Sequence, residues 1–526
     1  MEHRPLGAQI SHMLKARDVD VIFGIPGVHN QELYRGIEEA GLTHILARHE
    51  QGAGFMADGY ARATGRPGVA YVITGPGLCN IMTPMGQAYS DRVPLLVISS
   101  CLNKGDLGMG RGRLHEMRDQ EIAAGTVCDW SLTAQDAASA YQLIDRALTE
   151  FAAGRTRPKH IQVPIEVLEG VTPPAPPKRV TQVVLDSGDV SVVEELLAKA
   201  ERPIFVFGAG AIAAQEAVKT LLASTKAASF VTFSANGLVA NDTPFYFGPS
   251  LARPSSEEVI NQADLVIAIG SALSEVDLWR DQLGKPGTLI RVDHDPAALA
   301  DHQNAQLQIK ADATAFLKAL AARSPMTQSI WTEAEVTKTR TTWRAEVNSE
   351  RPGLLSVIDA IAAALPADTA VYSDMTQIAY AALEMWPREA PGLWHHPHGF
   401  GTLGYALPAA IGGAIARQGK PTLAIAGDYG FQYTLQELMV AVELELTLPI
   451  ILWDNTKLGE IADSMTAAQI APNAVTMKNP DFGAFARSFG AAAAAPQSLT
   501  EIAGTLDAAF NHKGPTVIHL TPAITA

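Results

Sequence analysis

The chain has 526 residues, of which 47% are hydrophobic and 18% charged, and its formal net charge is −15. This length allows about three or four domains with large buried cores, and the acidic balance argues against a nucleic-acid partner, which usually needs a basic face. The three cysteines show neither metal-binding spacing nor a disulfide framework, so we expect a reducing, cytoplasmic location.

The chain shows no signal-peptide pattern and no uncharged apolar run of about 18 residues. We therefore expect no membrane segment.

The first block, residues 1–172, alternates short apolar runs with helical spacing, which predicts a parallel sheet covered on both faces. Its predicted elements are strands at 19–23, 45–47, 69–73 and 95–99, and a helix at 32–40.

Two further blocks repeat the strand–helix pattern. A proline-rich connector, 173–186, precedes a central block at 187–325, and a polar connector with partly helical character, 326–350, precedes the third block at 351–526. The fold class is therefore α/β, with three doubly wound parallel-sheet domains, of which the first and third look alike. Predicted strands lie at 204–207, 228–233, 265–269 and 289–292 in the central block, and at 370–373, 422–426, 449–453 and 516–520 in the third.

The central block contains a glycine-rich turn after its first strand. Gly208, Gly210 and Ala213 fit a G-x-G-x-x-A dinucleotide fingerprint. The acidic residue expected about 20 positions later for the ribose is missing. A tight strand-to-helix turn is the better interpretation.

Polar residues end two consecutive strands of the third block. Asp428 follows the apolar run that ends at Gly427, and Asn455 follows the next one. Carboxyl ends of parallel strands share one edge of the sheet, where α/β proteins bind ligands. A carboxylate and an amide oxygen there form a plausible Mg²⁺ site, although on local grounds alone Asp428 is better interpreted as a helix cap.

The first block adds the segments RHEQGAGFMADGYAR and TGPG. With GIPG, GFGTLGYALPAAIGGA and GDYG followed by DN, they resemble, in order and over nearly the whole chain, the thiamine diphosphate-dependent enzymes of the acetolactate synthase, benzoylformate decarboxylase and pyruvate decarboxylase group. The resemblance implies thiamine diphosphate and Mg²⁺ as cofactors. It also implies a pyrimidine-binding first domain, a diphosphate-binding third domain, and active sites shared between subunits of a homodimer or homotetramer.

The resemblance assigns metal and cofactor residues by position. The implied Mg²⁺ ligands are Asp428, Asn455 and the Lys457 carbonyl, and Glu50 matches the carboxyl that hydrogen-bonds the pyrimidine ring. Leu403 matches the apolar residue that bends the cofactor. The full set of expected cofactor-binding residues is Pro26, Glu50, Thr74, Asp374, Thr376, Gln377, Gly401, Leu403, Gly427, Asp428, Tyr429, Gly430, Asn455, Lys457, Leu458 and Gly459.

Some positions depart from the family pattern. Tyr429 stands where many relatives have glycine, and Asp454 where many have asparagine; neither removes a metal ligand, and we have no firm account of Tyr429. The central block lacks the basic residues expected for FAD, so we expect no FAD. The tandem His395-His396 is better explained by structure than by catalysis.

The substrate pocket is expected to use His29, His115, Glu460 and Asp463. Either histidine could relay protons near neutral pH, although hydrogen-bonded loop histidines are an alternative. Either acid could pair with a cationic tail such as a guanidinium, although both could simply be solvated. Together with the motifs, these residues resemble 5-guanidino-2-oxopentanoate decarboxylases.

Three functions remain open from the sequence. The first is non-oxidative decarboxylation of a small 2-oxo acid, with catalytic roles for Glu50, His29 and His115. The second is a carboligase or lyase of the acetolactate synthase or benzaldehyde lyase type. The third is a non-catalytic assembly subunit, which the intact Glu50, Asp428 and Asn455 argue against.

Overall fold

The structure, a computed structural model, describes residues 2–154, 156–177 and 186–525. Its strands form three sheets with parallel pairing throughout, and a short antiparallel pair joins Arg4–Pro5 to Val171–Thr172. Successive residues of a strand enter different hydrophobic clusters, as Phe205 and Val206 do, so the sheets are buried on both faces. The predicted α/β fold class is confirmed.

The first sheet carries the order β3-β2-β4-β5-β7-β6. Its strands, with the antiparallel pair, are β1 (Arg4–Pro5), β2 (Val21–Gly24), β3 (Thr43–Leu46), β4 (Gly68–Val72), β5 (Leu95–Cys101), β6 (Trp130–Thr133), β7 (Lys159–Pro164) and β8 (Val171–Thr172). The helices around it are α1 (Leu6–Ala16), α2 (Gln31–Arg35), α3 (Glu50–Thr64), α4 (Pro76–Asp91), α5 (Gln120–Gly125), α6 (Ala137–Ala152) and α7 (Ile165–Glu169).

The central sheet has five strands in the order β10-β9-β11-β12-β13. They are β9 (Pro203–Phe207), β10 (Ala228–Val231), β11 (Leu265–Ile269), β12 (Thr288–Asp293) and β13 (Leu307–Lys310). The helices of this part are α8 (Ser191–Leu197), α9 (Gln215–Thr225), α10 (Ser256–Asn261), α11 (Glu275–Leu278), α12 (Pro296–Leu299) and α13 (Ala313–Ala322), and α14 (Glu333–Glu350) follows in the predicted connector.

The third sheet has the order β15-β14-β16-β17-β19-β18. Its strands are β14 (Ala370–Ser373), β15 (Trp394–His395), β16 (Thr422–Gly427), β17 (Leu448–Trp453), β18 (Ala492–Ala494) and β19 (Pro515–Leu520). Its helices are α15 (Leu354–Ala364), α16 (Gln377–Met385), α17 (Ala406–Ala416), α18 (Asp428–Thr434), α19 (Leu438–Glu443), α20 (Gly459–Ala467), α21 (Phe482–Ser488) and α22 (Leu499–Phe510).

The first and third sheets follow the same order. Counting the strands of each six-stranded sheet along the chain, both run second, first, third, fourth, sixth, fifth. The similarity expected from the sequence is therefore confirmed at the level of topology. Both sheets consequently gather their polar strand ends at one carboxyl edge.

Helices α3 and α17 join the first and third sheets. Gly59 lies against the backbone of Ala409, and Gly412 lies against that of Met56, where a methyl group would collide with backbone atoms. The Tyr405 hydroxyl donates a 2.8 Å hydrogen bond to buried Asp58. One hydrophobic cluster spans both sheets, so the chain holds these two domains firmly together.

Several local expectations differ from the structure. The helix expected at 32–40 is only Gln31–Arg35, because Gly36 packs on the backbone of Ala8 and the chain continues in turns. The strand expected at 228–233 ends at Val231, before a short 3₁₀ turn. The connector at 173–186 lies partly outside the described residues, and no helix among the described residues is long and apolar enough to cross a membrane.

Candidate active site

The three expected metal ligands lie at one edge of the third sheet. Gly427 pairs with Trp453 across β16 and β17, so Asp428 and Asn455 follow neighbouring strand ends. The Thr456 amide donates to Asp428 Oδ2 at 2.9 Å, and the Lys457 amide donates to Asn455 Oδ1 at 3.1 Å. The turn 454–457 thus brings these groups together.

The oxygen atoms of this edge suit a hard cation. One carboxylate, one amide oxygen and backbone carbonyls match the ligand preference of Mg²⁺, which keeps waters and phosphates for its other positions. The described residues contain no cluster of three acidic, histidine or cysteine side chains that could hold a metal instead. The donor set therefore fits Mg²⁺ bound together with a phosphate ligand.

A second carboxylate lies beside Asp428. The Asn479 amide nitrogen donates to Asp428 Oδ2 at 2.7 Å and to Asp454 Oδ1 at 2.8 Å. Burial raises the pKa of Asp428, and neighbouring Asp454 adds to this. Burial alone would raise the pKa of Asp454, but its hydrogen bonds, first that from His519 at 2.9 Å, outweigh burial and lower the pKa. A cation at Asp428 would favour its ionised form.

Three helix N-termini surround this edge. Helices α16, α18 and α20 begin there, and in none does the side chain of the N-cap residue accept from a backbone amide. Such amides, with the helix dipole, attract phosphate groups. Gly427, Gly430 and Gly459 let Thr376, Asp374 and Gln377 respectively approach these helix starts closely, because a side chain at each glycine would crowd its neighbour. The edge therefore fits a diphosphate group.

Asp374 holds an adjacent turn. Its buried carboxylate accepts hydrogen bonds at 2.9 Å from the amides of Met375 and Gly404, and burial raises its pKa to about 6. Gly401 has a φ of +66°, a left-handed conformation that favours glycine. The turn thereby presents half-buried Leu403, while Leu458 ends the loop before α20.

Glu50 begins α3 in the first domain and is 7% exposed. Its Oε2 accepts a 2.9 Å hydrogen bond from Asn80, and Gly77 packs closely beside its other oxygen, where a side chain would crowd Glu50 and Ile73. Pro26 is exposed in the neighbouring turn, and Thr74 is fixed by two hydrogen bonds to Ser100. In the described parts of the chain, no hydrogen bond or ion pair joins Glu50 to the Asp428 edge.

His29 and His115 lie together, which the sequence did not reveal. Their ring centroids are 4.9 Å apart with planes inclined by 65°. In each ring Nδ1 is buried and has no hydrogen-bond partner among the described residues. Burial lowers the pKa of His29, and the neighbouring His115 adds to this. The His115 carbonyl packs on Gly75, two residues before Gly77 beside Glu50.

The two acids expected for a cationic tail lie in a cleft beside the expected metal ligands. Glu460 is 3.2 Å from the Arg351 guanidinium, and Asp463 is exposed on α20. Both line a cleft of about 480 Å³ that also borders Gln377 and Asn455. The structure thus gives Glu460 a cationic partner within the chain.

One neighbour of the site, Asn479, was missed by sequence reasoning. Asn479 comes from a loop 51 positions after Asp428, so no local spacing indicates it. The Tyr429 amide donates to Asp428 Oδ1 at 2.9 Å, and its ring meets Tyr433 edge-on at 5.5 Å. His395 and His396 are buried, with His396 Nδ1 2.9 Å from Ser373 Oγ.

Comparison with known proteins places this geometry in context. Three profiles match: the "Thiamine pyrophosphate enzyme, N-terminal TPP binding domain" at residues 4–122, the central domain at 190–320 and the C-terminal TPP binding domain at 374–520. The chain is 42% identical to the "Probable 2-ketoarginine decarboxylase AruI" of Pseudomonas aeruginosa, over 98% of this chain and 94% of that protein. It is 27% identical to the acetolactate synthase isozyme 2 large subunit of Escherichia coli, over 98% and 95%.

Proposed function

The chain belongs to the thiamine pyrophosphate enzyme family, and we propose that it removes CO₂ from 5-guanidino-2-oxopentanoate without oxidation. One observation carries the choice of reaction: the 42% identity, over nearly the full length of both chains, to a protein described as a probable 2-ketoarginine decarboxylase. The paired histidines, and the edge of the third sheet with its oxygen ligands and helix N-termini, support this choice.

Asp428, Asn455 and the Lys457 carbonyl would hold Mg²⁺, and the N-termini of α16, α18 and α20 would hold the diphosphate. Leu403 would pack against the bound cofactor. When bound, thiamine diphosphate supplies the electron sink that decarboxylation of a 2-oxo acid requires. The protein's part is to orient the substrate and to move protons.

Glu50 would hold a proton at the pyrimidine nitrogen of the cofactor. Within the described chain, Glu50 has no hydrogen bond or ion pair with the Asp428 edge. Its carboxylate instead accepts a hydrogen bond from Asn80 of the first domain. We therefore propose that each active site combines Glu50 of one subunit with Asp428 of another, which makes a homodimer the minimum active form and a homotetramer possible by pairing of dimers.

His29 and His115 would exchange a proton with the product carbon and its oxygen. A neutral imidazole can accept or donate a proton through either nitrogen, and the depressed pKa of His29 keeps that ring neutral near pH 7. Their unpartnered Nδ1 atoms leave hydrogen-bonding capacity for a substrate. The His115 carbonyl packs on Gly75 of the TGPG turn, and Glu50 lies beside Gly77 of the same turn.

We propose that the central domain binds no FAD. Its glycine turn is occupied by the chain itself, because Gly208 and Gly210 pack against Gly270. The Arg291 side chain is committed to Asp301 and to the Ser271 carbonyl, at 2.7 Å. Purified protein should show no flavin absorbance near 450 nm after denaturation and release of bound ligands.

A substrate panel tests the proposal. Purified protein with thiamine diphosphate and Mg²⁺ is given 5-guanidino-2-oxopentanoate, pyruvate, benzoylformate and 2-oxohexanoate, and released CO₂ is measured. We expect the guanidino acid to give the highest kcat/KM. No CO₂ from any member would refute a decarboxylase.

The similarity to acetolactate synthase favours a second candidate, carboligation of pyruvate. Product analysis separates the two, because a carboligase forms a new C–C bond from pyruvate whereas a decarboxylase releases an aldehyde. Acetolactate formation faster than decarboxylation of the guanidino acid would favour this second function.

A further inference from the structure

The substrate's guanidinium needs an acceptor that the third domain does not leave free. Glu460 already lies 3.2 Å from Arg351, so a second guanidinium there would have to displace the first. Asp463 is exposed, where a single ion pair contributes little. A buried carboxylate with a free oxygen would hold the tail better.

A separate cavity of about 340 Å³ lies at the carboxyl edge of the first sheet. We call it the edge cavity. Thr74 follows β4, Cys101 and Thr133 end β5 and β6, and Gln162 lies in β7. Parallel α/β sheets bind ligands at this edge.

Its polar end contains side-chain oxygen atoms that receive no hydrogen bond from the described residues. The Gln162 side-chain nitrogen donates to Thr133 Oγ1 at 2.6 Å, and the Thr133 hydroxyl donates to Glu121 Oε2. Gln162 is 3% exposed, and its Oε1 is buried with no partner among the described residues. A buried acceptor without a hydrogen-bond donor destabilises the folded protein. The arrangement therefore favours a ligand rich in N–H groups.

Charge at this end is negative. The second carboxylate oxygen of Glu121 receives no hydrogen bond within the described residues. Asp119 is used to cap α5, since its Oδ1 accepts from the Ile122 amide at 2.9 Å. Arg118 also lines the cavity, but it is exposed and so sits in water. Glu121 thus remains the available charged acceptor.

The apolar part of the cavity adjoins Gln120, which contacts the turn beside His115. Leu102, Leu107 and Met117 can cover methylene groups. Gln120 lines the cavity and accepts from the Gly75 amide at 2.9 Å, and Gly75 packs on the His115 carbonyl. A ligand lying along this wall would have one end at Glu121 and the other near His115.

We propose that the edge cavity is the tail subsite for a guanidino 2-oxo acid. Glu121 binds the guanidinium as its charged partner and Gln162 Oε1 accepts a further N–H, while the apolar wall covers the three methylene groups. A guanidinium offers five donors in one plane, which suits two acceptors on neighbouring elements. This inference rests on the proposed function and names the residues that select the substrate.

The test is Glu121→Gln, which keeps the shape and removes the charge. We expect kcat/KM for 5-guanidino-2-oxopentanoate to fall roughly 10- to 100-fold, mainly through a higher KM, as for a lost charge-assisted hydrogen bond. The kcat/KM for 2-oxohexanoate, which has no charged tail, should stay within about threefold, because its tail makes no ion pair. Gln162→Leu should shift the same ratio by a smaller factor.

Controls separate the possible failures. Glu195→Gln, an exposed change in α8, should leave the ratio unchanged. An equal fall for both substrates in Glu121→Gln would show a structural role and overturn the subsite. A selective loss in Glu460→Gln instead of Glu121→Gln would also overturn it. If the unaltered protein releases no CO₂ from the guanidino acid, the proposed function fails before the subsite is tested.

Discussion

Asn479 bridges the two carboxylates at the proposed metal-binding edge of the third sheet. Its amide nitrogen has two hydrogens, and it uses one on Asp428 and one on Asp454. Asp454 lies beside Asp428, so this edge of the sheet carries two neighbouring carboxylates. The shared donor, together with His519 on the far side of Asp454, makes that pairing tolerable.

We predict that Asn479→Ala lowers the free energy of unfolding of the cofactor-free protein by about 2 kcal/mol, because it removes the shared donor from two buried carboxylates. Urea unfolding at pH 7.5 measures the change. Asn348→Ala, an exposed substitution in α14, is the matched control and should stay within about 0.5 kcal/mol. Equal stabilities of the two variants would contradict the prediction.

At the scale of elements, strands β5, β6 and β7 are joined by a buried histidine. His160 in β7 lies 2.8 Å from Ser99 Oγ and 2.7 Å from Ser131 Oγ. Complete burial lowers the pKa of His160 to about 3. Gln120 extends this network by donating to Ser99 and accepting from Gly75, so the strands also fix the turn beside Glu50.

The histidine predicts a pH dependence of stability. Between its folded pKa of about 3 and an unfolded value near 6.5, only the unfolded chain binds the proton. This contribution to stability is therefore present above about pH 6.5 and is lost as the pH falls toward 3. His160→Gln should reduce the slope of unfolding free energy between pH 4 and 6 by about 1.4 kcal/mol per pH unit.

Urea unfolding at several pH values measures that slope. A lower overall stability of His160→Gln would not affect the comparison, because the slope rather than the absolute value is compared. His3→Gln, at an exposed position, is the control and should retain the slope of the unaltered protein. An unchanged slope in His160→Gln would show that the ring is protonated in the folded protein.

For the whole molecule, the limits of sequence reasoning follow from topology. Asp428 and Asn455 were predictable because consecutive parallel strands, β16 and β17, are also neighbours in the sheet. The proximity of Glu121 and Gln162 was not predictable, because β7 lies between β5 and β6 in the sheet although it follows β6 in the chain. This order brings together two residues that are 41 positions apart. The extent of α2 was overestimated since the packing of Gly36 on Ala8 depends on a tertiary contact.

The proposed sharing of each active site between two subunits leads to a test of the whole assembly. Glu50→Gln should inactivate the first-domain half, and Asp428→Ala should inactivate the third-domain half, so each variant alone should be inactive. In a mixed dimer, one site receives both altered residues and the other receives neither. That second site should be fully functional.

Denaturing and refolding the two variants together at a 1:1 ratio should restore about a quarter of normal decarboxylase activity, because half of the dimers are mixed and each has one intact site. Size-exclusion chromatography confirms that the refolded species are oligomers. Refolding each variant alone gives the background. If every site were built within a single chain, mixing would restore nothing, since each chain would carry its own defect into its own site.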